Sequence, residues 1–130
     1  MPLKNIAAIV LAAGQGKRMK SNLPKVLHPV LGQPMITYVL ESLALAGFER
    51  HIVVVGHGGN AVVESISDRA QIAWQKEQLG TGHAVKCAMP LLEDFEGDVI
   101  VTNGDAPLVP PNSYVNMVTA RRKRGYSALI

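Results

Sequence analysis

A glycine-containing, basic segment follows the first apolar run of the chain and is the pattern best suited to chemistry. Residues 11–19 read Leu-Ala-Ala-Gly-Gln-Gly-Lys-Arg-Met. Glycines let a backbone approach a ligand closely, and backbone N–H groups in such a loop can surround an anion that nearby cations attract. This loop chemistry favours a polyphosphate ligand, with a solvated basic turn as the alternative.

Two common phosphate-binding motifs do not fit the segment. A dinucleotide fingerprint needs Gly or Ala at position 19, where Met19 stands. A Walker loop needs Gly at position 11 and Ser or Thr at position 18, where Leu11 and Arg18 stand. The spacing therefore excludes the Walker motif and disfavours a dinucleotide-dependent oxidoreductase.

Basic residues are concentrated near this segment. The 130 residues carry a formal net charge of +3, yet no carboxylate precedes Glu41, and four cations fall between positions 17 and 25. Pro24 disfavours helix at Leu23 and predicts an extended approach to Lys25. That approach can aim Lys25 back across a phosphate site, although a lysine after a proline is more often an ordinary surface residue.

Three spaced motifs together resemble the nucleoside-diphosphate-sugar pyrophosphorylases. They are residues 11–19 with Leu-Pro-Lys-Val-Leu-His at 23–28, then residues 75–84, then Gly-Asp-Ala-Pro-Leu at 104–108. The first is similar in particular to the bacterial bifunctional N-acetylglucosamine-1-phosphate uridylyltransferases, whose other activity is glucosamine-1-phosphate acetyl transfer. The resemblance runs from about Ile6 to the end of the chain.

The resemblance implies roles residue by residue. Arg18 and Lys25 would be catalytic: Arg18 would stabilise charge on the departing pyrophosphate, and Lys25 would bind the phosphate that joins nucleotide and sugar. Gln75, Gly80 and Thr81 would read the uracil edge. The positions implied in nucleotide or UDP-sugar binding are Leu11, Ala12, Ala13, Gly14, Lys25, Gln75, Gln78, Gly80, Thr81, Asn103, Gly104 and Asp105.

The cofactor that the resemblance implies is Mg²⁺, with Asp105 as its ligand. A carboxylate at the carboxyl end of a strand can hold this ion, which prefers oxygen ligands and shares substrate phosphates. The implied reaction is in-line attack of N-acetylglucosamine-1-phosphate on the α-phosphorus of UTP. It gives pyrophosphate and UDP-N-acetylglucosamine for cell-wall precursors. Such transfers depend on positioning and on neutralisation of phosphate charge more than on covalent catalysis.

The elements that must position these residues alternate along the chain. Apolar runs predict strands near residues 6–11, 52–55, 72–75 and 99–102, and helical spacing predicts helices near 35–44, 62–66, 81–89 and 114–124. A loop is predicted from Ala13 to about Pro34. This alternation of strands and helices predicts an α/β fold of Rossmann-like type, with a mostly parallel sheet and helices on both faces. Ligands are expected beyond the carboxyl ends of the strands.

The chain is expected to be an incomplete domain. A further strand is predicted to begin at Ser127, so residues 1–130 would be the N-terminal, nucleotide-binding part of a sugar-1-phosphate nucleotidyltransferase domain, truncated at its C-terminal side. The acetyltransferase domain, and the trimer expected with it, would belong to a longer protein. An open sheet edge invites pairing with a second copy, so a homo-oligomer is one expected outcome.

Composition limits the other function classes. A hydrophobic fraction of 48% suits one globular domain, no apolar run reaches the length of a membrane span, and the single Cys87 suits a reducing cytoplasm. The basic run at 121–124 is interpreted as a solvated helix end before Gly125 rather than a nucleic-acid contact. The four histidines lack zinc-ligand spacing. Trp74 is predicted to pack in the core and Asp98 to lie on the surface.

Two alternatives to uridylyl transfer stay open. A cytidylyl- or thymidylyltransferase would share this fold and loop chemistry and would differ in base selectivity. A nucleotide-binding module that is inactive as this fragment would bind the nucleotide without releasing pyrophosphate.

Overall fold

The apolar runs of the sequence form a parallel sheet with the first run inside it. The structure is a computed structural model in which residues 5–14, 23–56, 58–66 and 68–125 are described. The further strand predicted from Ser127 lies outside these residues. The strands are β1 (Ile6–Ala12), β2 (Pro29–Val30), β3 (Gln33–Pro34), β4 (Arg50–Val55), β5 (Gln71–Trp74) and β6 (Asp98–Asn103).

The main sheet has the order β5-β4-β1-β6, and every pairing in it is parallel. β1 lies between β4 and β6, and residues 6–10 are fully buried. Successive side chains of a strand point to opposite faces. Because both faces of β1 are covered, its sequence is a continuous apolar run rather than an alternating one, as is typical of buried parallel strands.

Helices cover both faces of the sheet, which confirms the predicted fold class. They are α1 (Met35–Leu45), α2 (Asn60–Ile66), α3 (Thr81–Ala88) and α4 (Pro111–Arg124), with 3₁₀ turns at Lys25–Leu27 and Met89–Leu92. α1, α2 and α4 contribute to the apolar core on one face, and α3 with the second 3₁₀ turn contributes to the core on the other. None of the helices in the described ranges has the length and apolarity that a membrane span requires.

The segment predicted as a loop from Ala13 to about Pro34 contains more structure than expected. Its second half forms the Lys25–Leu27 3₁₀ turn and the short β2–β3 hairpin. Val26 and Leu27 are buried, so two apolar side chains anchor the turn to the core. The expectation of a long loop was wrong here because elements of two or three residues are too short to show periodicity.

Trp74 was predicted to pack in the core, and that prediction was wrong. The residue is 46% exposed. It is the last residue of β5, which pairs with β4 and lies at the edge of the sheet among the described residues. A strand pattern shows which face a side chain takes, but it does not show whether the strand lies at the edge of its sheet.

Asp98 was predicted to lie on the surface, and the structure places it under the end of α4. Its carboxylate forms salt bridges with Arg121 and Arg122, and only 11% of its side chain is exposed. α4 follows β6 and runs back along it, which brings the last helical turn over the first residue of β6. The basic run is therefore not simply solvated, although Gly125 ends the helix in the left-handed conformation as expected.

We predict that Asp98→Asn lowers the free energy of unfolding by about 1–3 kcal/mol, because two guanidinium groups lose a largely buried charged partner. The measurement is urea denaturation at neutral pH. The control is Asp94→Asn, which breaks the pair that Asp94 forms with Arg50 on the surface, where the Asp94 side chain is 75% exposed. Equal losses for the two variants would contradict a structural role for the Asp98 contact.

Candidate functional site

A cleft of about 350 Å³ opens where β1 and β6 end, and the connection from β5 to α3 closes its other side. β1 and β6 are neighbours at the point where the strand order reverses, which is where open parallel sheets bind ligands. The cleft is lined by Leu11, Ala12, Ala13, Gly14, Lys25, Val26, Gln75, Gln78, Gly80, Thr81, Ala84, Asn103 and Asp105.

All of the positions implied in nucleotide or UDP-sugar binding line this cleft except Gly104. Gly104 does not line it: the residue is buried behind the cleft, and its N–H donates to the carbonyl of Leu11 at 2.9 Å. Arg18 lies outside the described residues. The structure thus brings the predicted residues together, and what each of them binds remains a prediction.

One end of the cleft carries opposite charges. Lys25 Nζ lies 2.9 Å from Asp105 Oδ2, with 51% and 34% of the two side chains exposed. Pro24 is extended, with φ −54° and ψ 143°, as its sequence context predicted. The buried Val26 then holds the 3₁₀ turn in place, so that Lys25 is directed across the cleft towards the loop after β6.

The donor set at this end fits a magnesium ion that arrives with a phosphate. The described residues contain no group of three or more His, Cys, Asp or Glu side chains that could hold a metal by themselves. Mg²⁺ is commonly bound through one or two carboxylates together with substrate phosphates and waters. One partly exposed carboxylate at the cleft, that of Asp105, meets that requirement, whereas the described ranges contain no site built from three or more such protein ligands.

The other end of the cleft is uncharged and rich in hydrogen-bonding groups. Gln75 continues β5 by donating its N–H to the carbonyl of Val55 at 2.8 Å, and its side chain is buried. Gly80 has φ +101°, a conformation that favours glycine, and α3 begins at the next residue, Thr81. Side-chain amides and peptide groups can pair with the donors and acceptors on the polar edge of a heterocyclic base.

A side-chain hydrogen bond joins the two walls of the cleft. Gln78 Nε2 donates to the carbonyl of Ala13 at 2.8 Å, across 65 positions of sequence. Gly56, which follows β4, lies directly beneath this bond. A Cβ atom at position 56 would come within 2.6 Å of Gln78 Nε2 and 2.9 Å of the Ala13 oxygen. Glycine is therefore required at position 56 for the bond to form.

Gly104 has a similar role on the β6 side. A Cβ atom there would meet Val26 Cγ1 at 2.9 Å and the Leu11 oxygen at 3.3 Å. The glycine lets the end of β6 approach both the end of β1 and the 3₁₀ turn. Its place in the motif is thus explained by close packing behind the cleft.

Some residues that line or support the cleft carry no chemical signal in the sequence. Val26 and Ala84 line it but are apolar, so no chemical pattern marks them. Gly56 directly follows the strand predicted near residues 52–55 and was not singled out. Its contact with the hydrogen bond between Gln78 and Ala13 depends on three segments that are distant in sequence, and a single sequence gives no sign of such a contact.

We predict that Gly56→Ala lowers the free energy of unfolding by about 1–3 kcal/mol, because the added methyl group pushes Gln78 off the Ala13 carbonyl. Gly82→Ala is the matched control: Gly82 lies on α3, and nothing lies within 4 Å of a Cβ atom there. Thermal or urea denaturation of both variants checks this. A Gly56→Ala chain as stable as the Gly82→Ala chain would show that the close approach is unimportant.

Known proteins resemble this chain in sequence. The bifunctional protein GlmU of Thermus thermophilus is 50% identical over 125 residues, which are 95% of this chain and 28% of that protein. GlmU of Heliobacterium modesticaldum is 57% identical over 102 residues, 78% of this chain and 22% of that protein. The chain thus spans less than a third of the length of these curated relatives, and the resemblance drawn from the motifs is confirmed.

Solved structures resemble it in fold. Rv0371c of Mycobacterium tuberculosis superposes with a TM-score of 0.78 at 23% identity, covering 92% of this chain and 62% of that one. The same protein in complex with manganese gives 0.74 at 21% identity, covering 90% and 59%. The inositol-1-phosphate CTP transferase of T. maritima gives 0.62 at 29% identity, covering 76% and 43%.

A family model also matches the chain directly. The model of the MobA-like NTP transferase domain covers residues 8–130, which includes most of β1 and every residue that lines the cleft. Together with the fold and the relatives, this match decides the family. The chain belongs to the MobA-like NTP transferase domain family.

Proposed function

We propose that the cleft binds UTP and forms the nucleotide half of a uridylyltransferase site. The proposed reaction joins UTP and N-acetylglucosamine-1-phosphate into UDP-N-acetylglucosamine and releases pyrophosphate. The observation that carries the proposal is the polarity of the cleft: Lys25 and Asp105 meet at one end, and Gln75, Gly80 and Thr81 line the other. A nucleoside triphosphate has the same polarity, with charged phosphates at one end and an uncharged base at the other.

The chemistry asks the protein to position phosphates and to neutralise their charge. An oxygen of the sugar phosphate attacks the α-phosphorus of UTP, the bond from that phosphorus to the bridging oxygen breaks, and pyrophosphate leaves in line. Lys25 would hold the phosphate that comes to join nucleotide and sugar. Arg18 would stabilise the charge on the leaving pyrophosphate. This role rests on the sequence resemblance alone. Asp105 would hold Mg²⁺, which when bound offsets phosphate charge.

The contact between Lys25 and Asp105 is consistent with these roles. In the free cleft each charge has the other as its partner. A bound phosphate offers Lys25 a second anion, and a bound cation offers Asp105 a second counter-charge. Both side chains are partly exposed, so the pair can open without uncovering a buried charge.

We propose that a longer protein supplies the remaining parts of the activity. Since the chain covers 28% of its Thermus relative, residues for the sugar would come from elsewhere in a longer protein. We extend the proposal to a cytoplasmic enzyme that supplies cell-wall precursors, and to a homo-oligomer in that longer form. The proposed uridylyl transfer would then be one activity of a longer, multifunctional protein.

A different base is the leading alternative. The T. maritima neighbour is described as a CTP transferase and shares 29% identity, so a cytidylyl- or thymidylyltransferase would fit the same fold. A module that binds nucleotide without turnover would fit the cleft equally well. Base selectivity distinguishes the first alternative, and pyrophosphate release distinguishes the second.

The direct test is calorimetric titration of the chain with UTP, CTP, dTTP and NAD⁺, each with Mg²⁺. We expect UTP to bind most tightly, because the uncharged end of the cleft is proposed to read uracil. Tighter binding of CTP would replace uridylyl with cytidylyl transfer. The absence of any nucleotide binding by a chain shown to be folded would remove the cleft from the proposal.

We further predict that Asp105→Asn abolishes most of the gain in UTP affinity that Mg²⁺ gives, a loss of about tenfold or more in affinity at saturating Mg²⁺. Affinity without Mg²⁺ should change little or improve, since a negative charge near the phosphates is removed. Asp94→Asn is the control, because that carboxylate is exposed and pairs with Arg50 away from the cleft. An unaltered Mg²⁺ dependence would exclude Asp105 as the metal ligand.

A further inference from the structure

Gln75 has a buried side-chain amide whose donor group is fully used inside the protein. The residue is 2% exposed and lines the cleft. Its Nε2 lies 3.1 Å from the carbonyl oxygen of Gly80 and 3.0 Å from Nδ1 of His83. An NH₂ group has two hydrogens to donate, so these two contacts exhaust it.

The Gly80 contact decides which end of the amide is which. A backbone carbonyl can only accept, and this one also accepts the N–H of Ala84 at 3.1 Å, in the first turn of α3. It is therefore held in place by the helix. An amide turned the other way would set Oε1 of Gln75 against that oxygen, so the group beside Gly80 has to be the NH₂.

The orientation of the amide in turn fixes the state of His83. If Gln75 donates at this position, Nδ1 of His83 accepts, and the ring carries its hydrogen on Nε2. Cys87 Sγ lies 4.0 Å from the same Nδ1, one turn further along α3, and its S–H group is a weak donor that an accepting nitrogen can use. The Gly80 carbonyl therefore opposes a reversal of the amide in either tautomer of His83, and His83 opposes it as long as its Nδ1 is unprotonated.

The oxygen of the Gln75 amide is left for the cleft. Within the part of the chain that the structure describes, no group donates a hydrogen bond to Oε1. A site that presents an acceptor selects a ligand with a donor at the matching position, because an unpaired buried polar group is costly. Uracil and thymine carry a donor at N3, whereas cytosine has a lone pair there.

We propose that His83 is a positioning residue that holds the Gln75 amide with its oxygen towards the cleft and so favours uracil and thymine over cytosine. The proposal rests on the proposed function, which places the base at this end of the cleft. His83 does not line the cleft and acts through Gln75. Its Nδ1 is required as an acceptor, so its effect is on which base binds rather than on whether the phosphates bind.

The experiment measures dissociation constants for UTP, dTTP and CTP, each with Mg²⁺, by calorimetry on the whole chain. The variants are His83→Ala, which removes the acceptor, and His83→Asn, whose Oδ1 can accept in place of Nδ1. Lys86→Ala, at an exposed position of the same helix, is the control for general effects on α3. Thermal denaturation establishes that each variant is folded.

We expect His83→Ala to lower the ratio of UTP to CTP affinity by about tenfold. UTP and dTTP should weaken together, because they share the N3 donor, while CTP is unchanged or improved. His83→Asn and Lys86→Ala should keep the wild-type ratio within about threefold. A general loosening of the fold would weaken all three nucleotides alike and would leave the ratio unchanged.

Three results would overturn the inference. The first is an unchanged ratio in His83→Ala, which leaves the proposed function intact. The second is an equal loss in His83→Asn and His83→Ala, which would mean that the ring fills space rather than accepts. The third is a wild-type chain with no preference for UTP over CTP, which would overturn the uridine assignment together with this inference.

Discussion

β1 forms hydrogen bonds with β4 along one edge and with β6 along the other, in parallel and over nearly its whole length. Because the three strands run in the same direction, the segments that follow them all leave the sheet at the carboxyl ends of the strands. Both faces of β1 are buried, so its register is specified strongly: a slip by one residue would exchange the side chains of the two cores. The relative positions of the glycine segment and the Asp105 loop follow from this pairing.

Hydrogen bonds to backbone carbonyls then hold the walls of the cleft together. The N–H of Gly104 donates to Leu11, the side chain of Gln78 donates to Ala13, and the N–H of Gln75 donates to Val55. Each bond joins segments that are distant in sequence, and glycines allow two of the three close approaches. A cleft defined by main-chain atoms presents its ligand groups in fixed positions, and preorganisation of that kind is what phosphoryl transfer requires of a protein.

Much of this arrangement was predictable from the sequence because it rests on local signals. Continuous apolar runs identified β1 and β4, Gly125 identified the end of α4, and the three motifs identified the residues that meet at the cleft. The failures concern tertiary context. Trp74 is exposed because β5 is an edge strand, and Asp98 is covered because α4 returns over the start of β6. The requirement for glycine at position 56 appears only when three segments meet.

The central claim is that a nucleoside triphosphate lies along the cleft at the carboxyl ends of β1 and β6. Amide NMR spectra of the chain titrated with UTP and Mg²⁺ test it directly, because backbone N–H groups in every described segment give their own signals. We predict chemical-shift changes at Gly14, Gly80 and Asp105, and none at Glu49 or Asp68, which lie at the opposite end of the sheet. Changes centred on Glu49 and Asp68, or no changes at saturating UTP, would contradict it.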